Sequence, residues 1–116
     1  MFSSTSFAEW TGVVENVNGT FYVDFERVRK VDGYVYWWEM SDRLKPTKFG
    51  DLSDKAYYQG DCKLFRYKVL SFSTHKEPMG RGTPSTSSNK PEKDWDYPPP
   101  NTGPEMILKT VCDHVK

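Results

Sequence analysis

The sequence predicts an α+β fold, in which an antiparallel sheet built as a meander is covered on one face by a single C-terminal helix. Three observations predict it. Aromatic residues make up 16% of the 116 residues while Leu and Ala are scarce, a composition that favours strands. Turn dipeptides containing glycine separate alternating apolar and polar runs, as they do in hairpins. Only residues 103–116 carry an apolar repeat of helical period.

Two dipeptides predict the hairpins of the N-terminal half, Asn18-Gly19 and Asp32-Gly33. Both central residues of a type I′ turn need positive φ, which Asn, Asp and Gly tolerate. The strand-like runs that these turns separate are residues 10–17, 20–25, 27–31 and 33–42. Because the connections are short, we expect successive strands to be antiparallel neighbours.

The run of residues 33–42 is the predicted central strand, since it holds two tyrosines, two adjacent tryptophans and a methionine. At period two its side chains divide between two faces. One face carries Tyr34, Tyr36, Trp38 and Met40, and we expect the helix to cover it. The other carries Val35, Trp37, Glu39 and Ser41 and becomes polar toward its end. Val35 and Trp37 have no evident partner within the chain, so we expect a binding surface there.

Residues 57–73 form a second long run, which follows a solvated loop between residues 44 and 55. Its apolar phase slips midway, because Phe65, Tyr67 and Val69 share one face whereas Leu70 and Phe72 lie on the other. A β-bulge near residues 66–69 would account for the slip, and so would two shorter strands.

Composition changes again after this run. Ser, Thr, Pro, Asn and Lys dominate residues 83–93 and offer nothing to bury, so we expect a mobile loop there. Trp95 and Tyr97 follow, and this aromatic pair is expected to fold the loop back onto the sheet. Residues 1–8 are rich in Ser and Thr and are expected to fray. The length of the chain fits a single domain over residues 1–116 with one hydrophobic core.

The helix predicted over residues 103–116 has a start signal and an apolar stripe. Asn101 or Thr102 can cap it, and Pro104 suits its first turn. The stripe comprises Ile107, Leu108, Val111, Cys112 and Val115. Cys62 lies in the second long run, so a disulfide to Cys112 would link the helix to the sheet. These positions favour a bridge, and two buried thiols in a reducing compartment are the alternative.

Charge and hydropathy argue against several classes of function. Sixteen basic and sixteen acidic residues cancel, so the basic excess typical of a nucleic-acid-binding surface is missing. No run approaches the roughly 18 apolar residues of a membrane-spanning helix. Residues 1–6 have neither the basic start nor the apolar segment of a signal peptide. We therefore expect no nucleic-acid partner and no transmembrane segment.

Residue types suited to catalysis or metal binding occur without the spacing that such sites need. Zinc-binding types are present at Cys62, His75, Cys112 and His114, but no two cysteines are separated by two residues. Asp24 and Asp42 could pair as general acid and base, yet carboxylates at turns are far more common. Gly80-Arg81-Gly82 is too short for a phosphate-binding loop. The sequence therefore predicts neither an enzyme nor a metal or cofactor site.

Three binding modes are compatible with the residues. The favoured one is protein binding through the sheet face or an exposed edge strand. A small-ligand module would use Trp37 or Trp95 as a platform for haem, a sugar or another apolar ligand. A cytosolic binder of single-stranded nucleic acid would use Arg27, Arg29 and Lys30 beside the aromatic strand. The candidate binding surface comprises Val35, Trp37, Arg27, Arg29 and Trp95.

A set of short features recurs in a particular order along residues 10–112. In the N-terminal half they are Trp10, residues 21–24, Val28-Arg29, Asp32-Gly33 and residues 35–38. In the C-terminal half they are Ser53, Tyr58, Asp61-Cys62, Arg66, Ser73, residues 79–82, Trp95, Pro99 or Pro100, and Val111-Cys112. This order resembles the surface-adhesin protein E-like family of bacterial envelope proteins.

The resemblance implies a sheet of about six antiparallel strands, with the C-terminal helix tied to it by a Cys62–Cys112 disulfide. It also implies a non-enzymatic protein that is periplasmic, exposed at the cell surface or secreted. The member after which the family is named is a dimeric adhesin that binds host matrix proteins and haem. We therefore expect a protein partner and a homodimer for this chain.

Overall fold

The computed structural model describes residues 9–116, which form a seven-stranded antiparallel sheet and one α-helix. The elements are β1 (Thr11–Asn16), β2 (Gly19–Val23), β3 (Arg29–Val31), β4 (Tyr34–Arg43), β5 (Ser53–Asp61), β6 (Arg66–His75), β7 (Thr86–Ser88) and α1 (Gly103–His114). The order across the sheet is β1-β2-β4-β5-β6-β7, and β3 pairs with the remaining part of β4. The predicted antiparallel sheet with one C-terminal helix is confirmed. The predicted fraying concerns residues 1–8, which lie outside the described residues.

Both N-terminal hairpins form, but one turn differs from the prediction. Asp32 and Gly33 have φ values of 51° and 85°, as a type I′ turn between β3 and β4 requires. The turn between β1 and β2 consists of Val17 and Asn18, whereas Gly19 is already the first residue of β2. A Cβ atom on Gly19 would lie 2.1 Å from the carbonyl oxygen of Asp42. Gly19 is therefore needed for the close approach of β4 rather than for the turn.

The long run of residues 57–73 belongs to two strands, β5 and β6, joined by a four-residue turn over residues 62–65. Phe65 has a φ of 53° at the end of this turn. The register shifts where Tyr57 pairs with Ser71 and Tyr58 with Val69, which leaves Leu70 as the additional residue of a β-bulge. Two strands and a bulge together cause the slip in apolar phase.

The hydrophobic core lies between α1 and the face of β4 that carries Val35 and Trp37. Its fully buried members are Val23, Val35, Trp37, Ile107, Leu108 and Val111. Val35 and Trp37 are only 1% and 2% exposed, so the expectation that they form an open binding surface is wrong. Tyr34, Tyr36 and Trp38 lie on the opposite face and are half-buried. Period two separates the two faces correctly, but both are apolar, so the pattern cannot select the one that the helix covers.

Gly60 explains why the helix packs on this face. Gly60 lies in β5 and pairs with Val35 of the neighbouring strand β4. A Cβ atom on Gly60 would lie 2.7 Å from the Trp37 ring, 2.9 Å from Val35 and 3.0 Å from Leu108. The absent side chain leaves the space into which the Trp37 indole and the helix residue Leu108 pack.

The helix begins with reciprocal hydrogen bonds and is tied to the sheet by a disulfide. Thr102 Oγ1 accepts from the backbone N–H of Glu105, and Glu105 Oε1 accepts from the backbone N–H of Asn101. Cys62 and Cys112 form the bridge, with Cα atoms 5.8 Å apart and 50 residues of separation. Cys62 lies in the β5–β6 turn rather than within a strand. Closing a loop of this size stabilises the folded state by about 4 kcal/mol on the chain-entropy model.

Two segments lie against the sheet beyond its main strands. The 3-10 turn Pro78–Gly80 is held by Ser53 Oγ, which donates to the carbonyl of Glu77 and accepts from the N–H of Gly80. Within residues 83–93, β7 pairs with β6, and the Glu92 carboxylate accepts from the backbone N–H of Val69 at 2.8 Å. The segment is thus attached to the sheet at two places, and its mobility stays a prediction.

Candidate functional site

The face of the sheet opposite α1 carries a layer of aromatic side chains, and we refer to it as the open face. Because paired residues share a face, the central part of this surface comprises Tyr34, Tyr36, Trp38, Tyr57, Gln59 and Lys68. The Tyr57 ring lies 6.2 Å from Tyr36 and 4.9 Å from Trp38, measured between ring centroids. Gln59 Nε2 donates to the Tyr36 hydroxyl at 3.1 Å. These half-buried rings stack on one another instead of on a helix.

Trp95 lies at one end of the open face and attaches the C-terminal loop to it. Its ring stacks on Tyr34 at 5.8 Å, and the cations of Arg66 and Lys68 lie 4.3 and 4.6 Å from its centroid. The next residue, Asp96, exchanges two backbone hydrogen bonds with Tyr67, of 2.9 and 2.8 Å. The prediction that the loop folds back onto the sheet is confirmed for Trp95, whereas Tyr97, the other member of the predicted pair, is 62% exposed. We call this arrangement the Trp95 clamp.

A pocket of about 300 Å³ opens beside the aromatic layer. Its described lining residues are Trp10, Asp24, Arg27, Trp38, Lys55 and Ser73. Asp24 is 1% exposed and accepts from Arg27 Nη1 at 2.8 Å, so its charge is largely neutralised. The Lys55 side chain lies along Gly80, where a Cβ atom would be 2.8 Å from Lys55 Cδ. The pocket thus combines two indole rings with basic side chains.

On the covered face, Glu39 is a buried carboxyl group that sequence reasoning did not single out. Desolvation by burial raises its pKa from 4.5 to about 7, although the 3.1 Å hydrogen bond from Trp37 Nε1 lowers it in part. The negative charge of Asp54 on β5 raises this pKa further. Pro104 and Ile107 of α1 lie close to Glu39 around a small cavity. The signal available in the sequence was a Glu at an apolar position of an alternating strand.

The candidate binding residues named from the sequence divide between the two faces. Val35 and Trp37 are core residues, as described above. Arg29 pairs with Tyr36 and so lies on the open face, Arg27 lines the pocket, and Trp95 forms the clamp. Whether these three contact a partner stays a prediction. A small-ligand platform on Trp37 is not accessible, and the Trp95 ring is already engaged by Tyr34 and two cations.

The basic cluster proposed for nucleic-acid binding is divided in the same way. Arg29 pairs with Tyr36, whereas Lys30 pairs with Val35 and therefore lies on the other face. Arg27 is engaged by Asp24. These cations do not form one continuous patch beside the aromatic rings.

The remaining residues considered for chemistry have structural contacts. Asp42 Oδ1 accepts from the N–H of Met79, whereas Asp24 is paired with Arg27, so the two carboxylates have separate partners. His75 is 1% exposed and contacts Ser73 Oγ and the carbonyl of Gly82. No group of His, Cys, Asp and Glu within residues 9–116 has the arrangement of a metal site. In the same part of the chain, no helix is long and apolar enough to cross a bilayer.

Fold and site together define a small disulfide-linked sheet domain with one helix-covered face and one open aromatic face. The family model for surface-adhesin protein E matches residues 10–113, and the chain belongs to that family. A crystal structure of Haemophilus influenzae protein E has a TM-score of 0.71 to this chain at 17% identity, covering 98% of this chain and 95% of that one. A second structure of the same protein has a TM-score of 0.65 at 16% identity, with coverage of 96% and 89%. At such identity these structures show a shared fold. No curated protein sequence matches the chain.

Proposed function

We propose that this protein is a non-enzymatic bacterial adhesin that binds a protein partner through its open face. The observation that carries the proposal is the asymmetry of the sheet. The helix and the disulfide stabilise one face, while the other face presents Tyr36, Trp38 and Tyr57 between the Trp95 clamp and the Pro78–Gly80 turn. Membership of the surface-adhesin family supports an adhesive role.

The chemistry of the open face is that of a protein interface. Tyr, Trp and Arg are enriched among the residues that dominate binding free energies. Tyr and Trp in particular bury a large area at little cost in side-chain entropy, because they have only two χ angles. Here the stacking of Tyr57 between Tyr36 and Trp38 restricts all three rings before any partner arrives. A preorganised surface loses less conformational entropy on binding.

The pocket beside Trp38 supplies a place for an anchoring side chain of the partner. Its volume of about 300 Å³ is at the lower end of the range for ligand pockets. Lys55 provides the net positive charge of the pocket, since Arg27 and Asp24 offset each other in their ion pair. An apolar or acidic side chain of the partner fits this lining best.

The disulfide and the family together support a position outside the cytoplasm. Cys62–Cys112 is the kind of bridge that persists in an oxidising compartment. We therefore place the protein in the periplasm, at the cell surface or among secreted proteins. Detection of the bridge in protein taken from its native compartment tests this placement, and two free thiols would contradict it.

Binding to immobilised host extracellular-matrix proteins, measured by surface plasmon resonance, tests the role of the open face. Arg29→Glu and Tyr36→Ala change the open face, and each is expected to raise Kd about tenfold or more if it removes a dominant contact. Lys109→Glu and Met106→Ala are matched changes on the exposed side of α1 and should leave Kd unchanged.

Two results would contradict the proposal. One is wild-type protein that binds no member of the panel, and the other is an equal loss of binding in the helix variants. The homodimer stays a prediction, which sedimentation equilibrium of the wild-type protein checks directly. If two copies pair through the open face, the Tyr36→Ala variant will sediment as a monomer.

A further inference from the structure

Three of the most exposed apolar side chains of the described residues lie at one end of the sheet. Val17 in the β1–β2 turn is 88% exposed, and Leu44 and Phe49 in the β4–β5 loop are 73% and 71% exposed. The backbone N–H of Leu44 donates to the carbonyl of Asn18 at 2.9 Å, which joins the two loops. We refer to these two loops, residues 17–18 and 44–52, as the apolar tip.

The apolar tip is held by its own hydrogen bonds, so its side chains do not depend on a neighbour to keep them outward. Thr47 accepts from the N–H of Gly50 at 2.8 Å and donates to the carbonyl of Asp51 at 2.9 Å. Lys76 Nζ, from the end of β6, donates to the carbonyl of Phe49. These hydrogen bonds fix the backbone of the loop. In this fixed conformation the Phe49 ring lies in solvent.

The charges around these apolar side chains are basic. Lys45 and Lys48 are exposed, and neither forms an ion pair with any described residue. The ammonium of Lys48 lies 5.1 Å from the Phe49 ring centroid. The acid of the same loop, Asp51, is buried, accepts from the Ser85 hydroxyl and lies 3.5 Å from Lys76 Nζ. Its carboxylate therefore does little to cancel the two lysines.

We propose that the apolar tip docks onto an anionic lipid surface, with Leu44 and Phe49 entering the interface and Lys45 and Lys48 contacting headgroups. Apolar side chains that protrude from convex loops can enter the headgroup boundary of a bilayer, whereas a folded partner protein usually needs a broader surface. Lysines next to them are attracted to the negative potential of anionic lipids. An open hollow of about 470 Å³ between the loops, lined by Arg43, Lys45 and Thr47 among others, could receive a headgroup phosphate.

Co-sedimentation of the full chain with phosphatidylcholine vesicles, with and without phosphatidylglycerol, tests the proposal. The wild-type protein is expected to sediment with the anionic vesicles and to be released by salt, since exposed charges are screened. The double variant L44S/F49S should lower the partition coefficient about tenfold or more, since two apolar side chains no longer leave water. Lys45→Glu with Lys48→Glu should abolish the preference for phosphatidylglycerol.

The opposite end of the sheet provides a matched control. Leu64 in the β5–β6 turn is 55% exposed and follows Lys63, so Leu64→Ser is the same chemical change away from the tip. This variant should bind vesicles as the wild type does. Phe49→Trp should retain or strengthen binding, because Trp favours the membrane interface. Urea unfolding midpoints of all variants should match, since the replaced side chains are exposed.

Several outcomes would overturn the proposal. They are wild-type protein that sediments with neither vesicle, an equal loss in Leu64→Ser, and tip variants that keep vesicle binding. A fourth is an L44S/F49S variant that loses a matrix-protein contact while its vesicle binding is intact, which would make the tip a protein contact. The proposal does not depend on the role of the open face, because Arg29→Glu leaves the tip unchanged.

Discussion

Gly60 shows how one residue determines which face of the sheet is covered. Its φ is not in the positive range, so glycine is needed here for the missing side chain rather than for backbone freedom. Trp37, Val35 and Leu108 converge on the space that a Cβ atom would occupy. A larger residue at this position would push the helix away from β4.

Gly60→Ala is therefore expected to destabilise the protein by about 1–3 kcal/mol, the usual cost of overpacking a well-filled core. The free energy of unfolding from urea titration measures it. Gly12→Ala is the matched control, since its new Cβ would meet nothing closer than 3.6 Å. Equal stability of the two variants would contradict this account of the core.

Glu39 gives stability a dependence on pH. The native state holds a proton on Glu39 up to about pH 7, whereas in the unfolded chain the group releases it near 4.5. Between about pH 4.5 and pH 7 the native state therefore binds more protons than the unfolded state. The contribution of Glu39 to the free energy of unfolding falls as pH rises through this range. The fall amounts to roughly 3 kcal/mol by pH 7 and levels off within about one pH unit above it.

The variant Glu39→Gln should remove this decline, because the amide keeps an acceptor for Trp37 Nε1 without titrating. Thermal unfolding measured from pH 4.5 to 8 checks it against Glu15→Gln, an exposed change that should retain the wild-type slope. A Glu39→Gln profile parallel to that of the wild type would show that another group causes the decline.

At the scale of elements, α1 depends on a tertiary link. It has 12 residues, a length at which an isolated helix is marginal in water. Its capping bonds and the packing of Ile107, Leu108 and Val111 support it, and the Cys62–Cys112 bridge restricts the unfolded chain.

Replacing both cysteines by Ala should lower the free energy of unfolding by about 4 kcal/mol on the chain-entropy model. Urea titration followed by tryptophan fluorescence measures the loss, since Trp37 lies under the helix. Wild-type protein in reductant should resemble the double variant. An unchanged midpoint in reductant would mean that the bridge contributes little.

The Trp95 clamp is a second element-scale link. Trp95→Ala should release the segment, so that hydrogen exchange at the amides of Tyr67 and Asp96 accelerates by about tenfold or more. Amides paired between β4 and β5 should be unaffected. Tyr97→Ala is the control, since Tyr97 is 62% exposed and its hydroxyl is 3.4 Å from Arg66. Equal exchange in both variants would exclude a clamping role for the indole.

At the scale of the whole molecule, the two proposed surfaces differ in position and orientation. The open face lies along the strands, whereas the apolar tip is at their end, where the β1–β2 turn and the β4–β5 loop meet. A sheet that touches a lipid surface with its tip would stand upright on it and leave the open face accessible from the side.

The two activities should therefore be separable. Tyr36→Ala is expected to weaken matrix-protein binding while vesicle binding is unchanged. L44S/F49S should weaken vesicle binding while matrix-protein binding is unchanged. In the combined variant the changes in binding free energy should add, because distant sites without shared partners are independent. Surface plasmon resonance and vesicle sedimentation on the same preparations measure both. A strong departure from additivity would show that the surfaces act as one.

Much of the fold could be predicted because it follows from local rules. Asp32-Gly33 predicts the turn between β3 and β4, and the slip of apolar phase in residues 57–73 predicts an irregularity there. Thr102 and Pro104 predict the start of α1. The candidate site was predicted less well. Arg29 was expected beside the aromatic strand and pairs with Tyr36, and Trp95 was expected on the sheet and stacks on Tyr34. Val35 and Trp37, however, were expected on an uncovered face and are core residues.

The sequence by itself determined the first four strands, the helix, the hairpin connections of the N-terminal half and, through its family resemblance, the Cys62–Cys112 pairing. These depend on turn chemistry, periodicity and spacing, all of which are local or can be read in order along the chain. Only the tertiary structure decided which face of β4 the helix covers. Both faces of that strand are apolar, and the residue that makes room for α1, Gly60, belongs to the neighbouring strand. Packing between strands, rather than the pattern within one, therefore left Tyr36 and Trp38 on the open face.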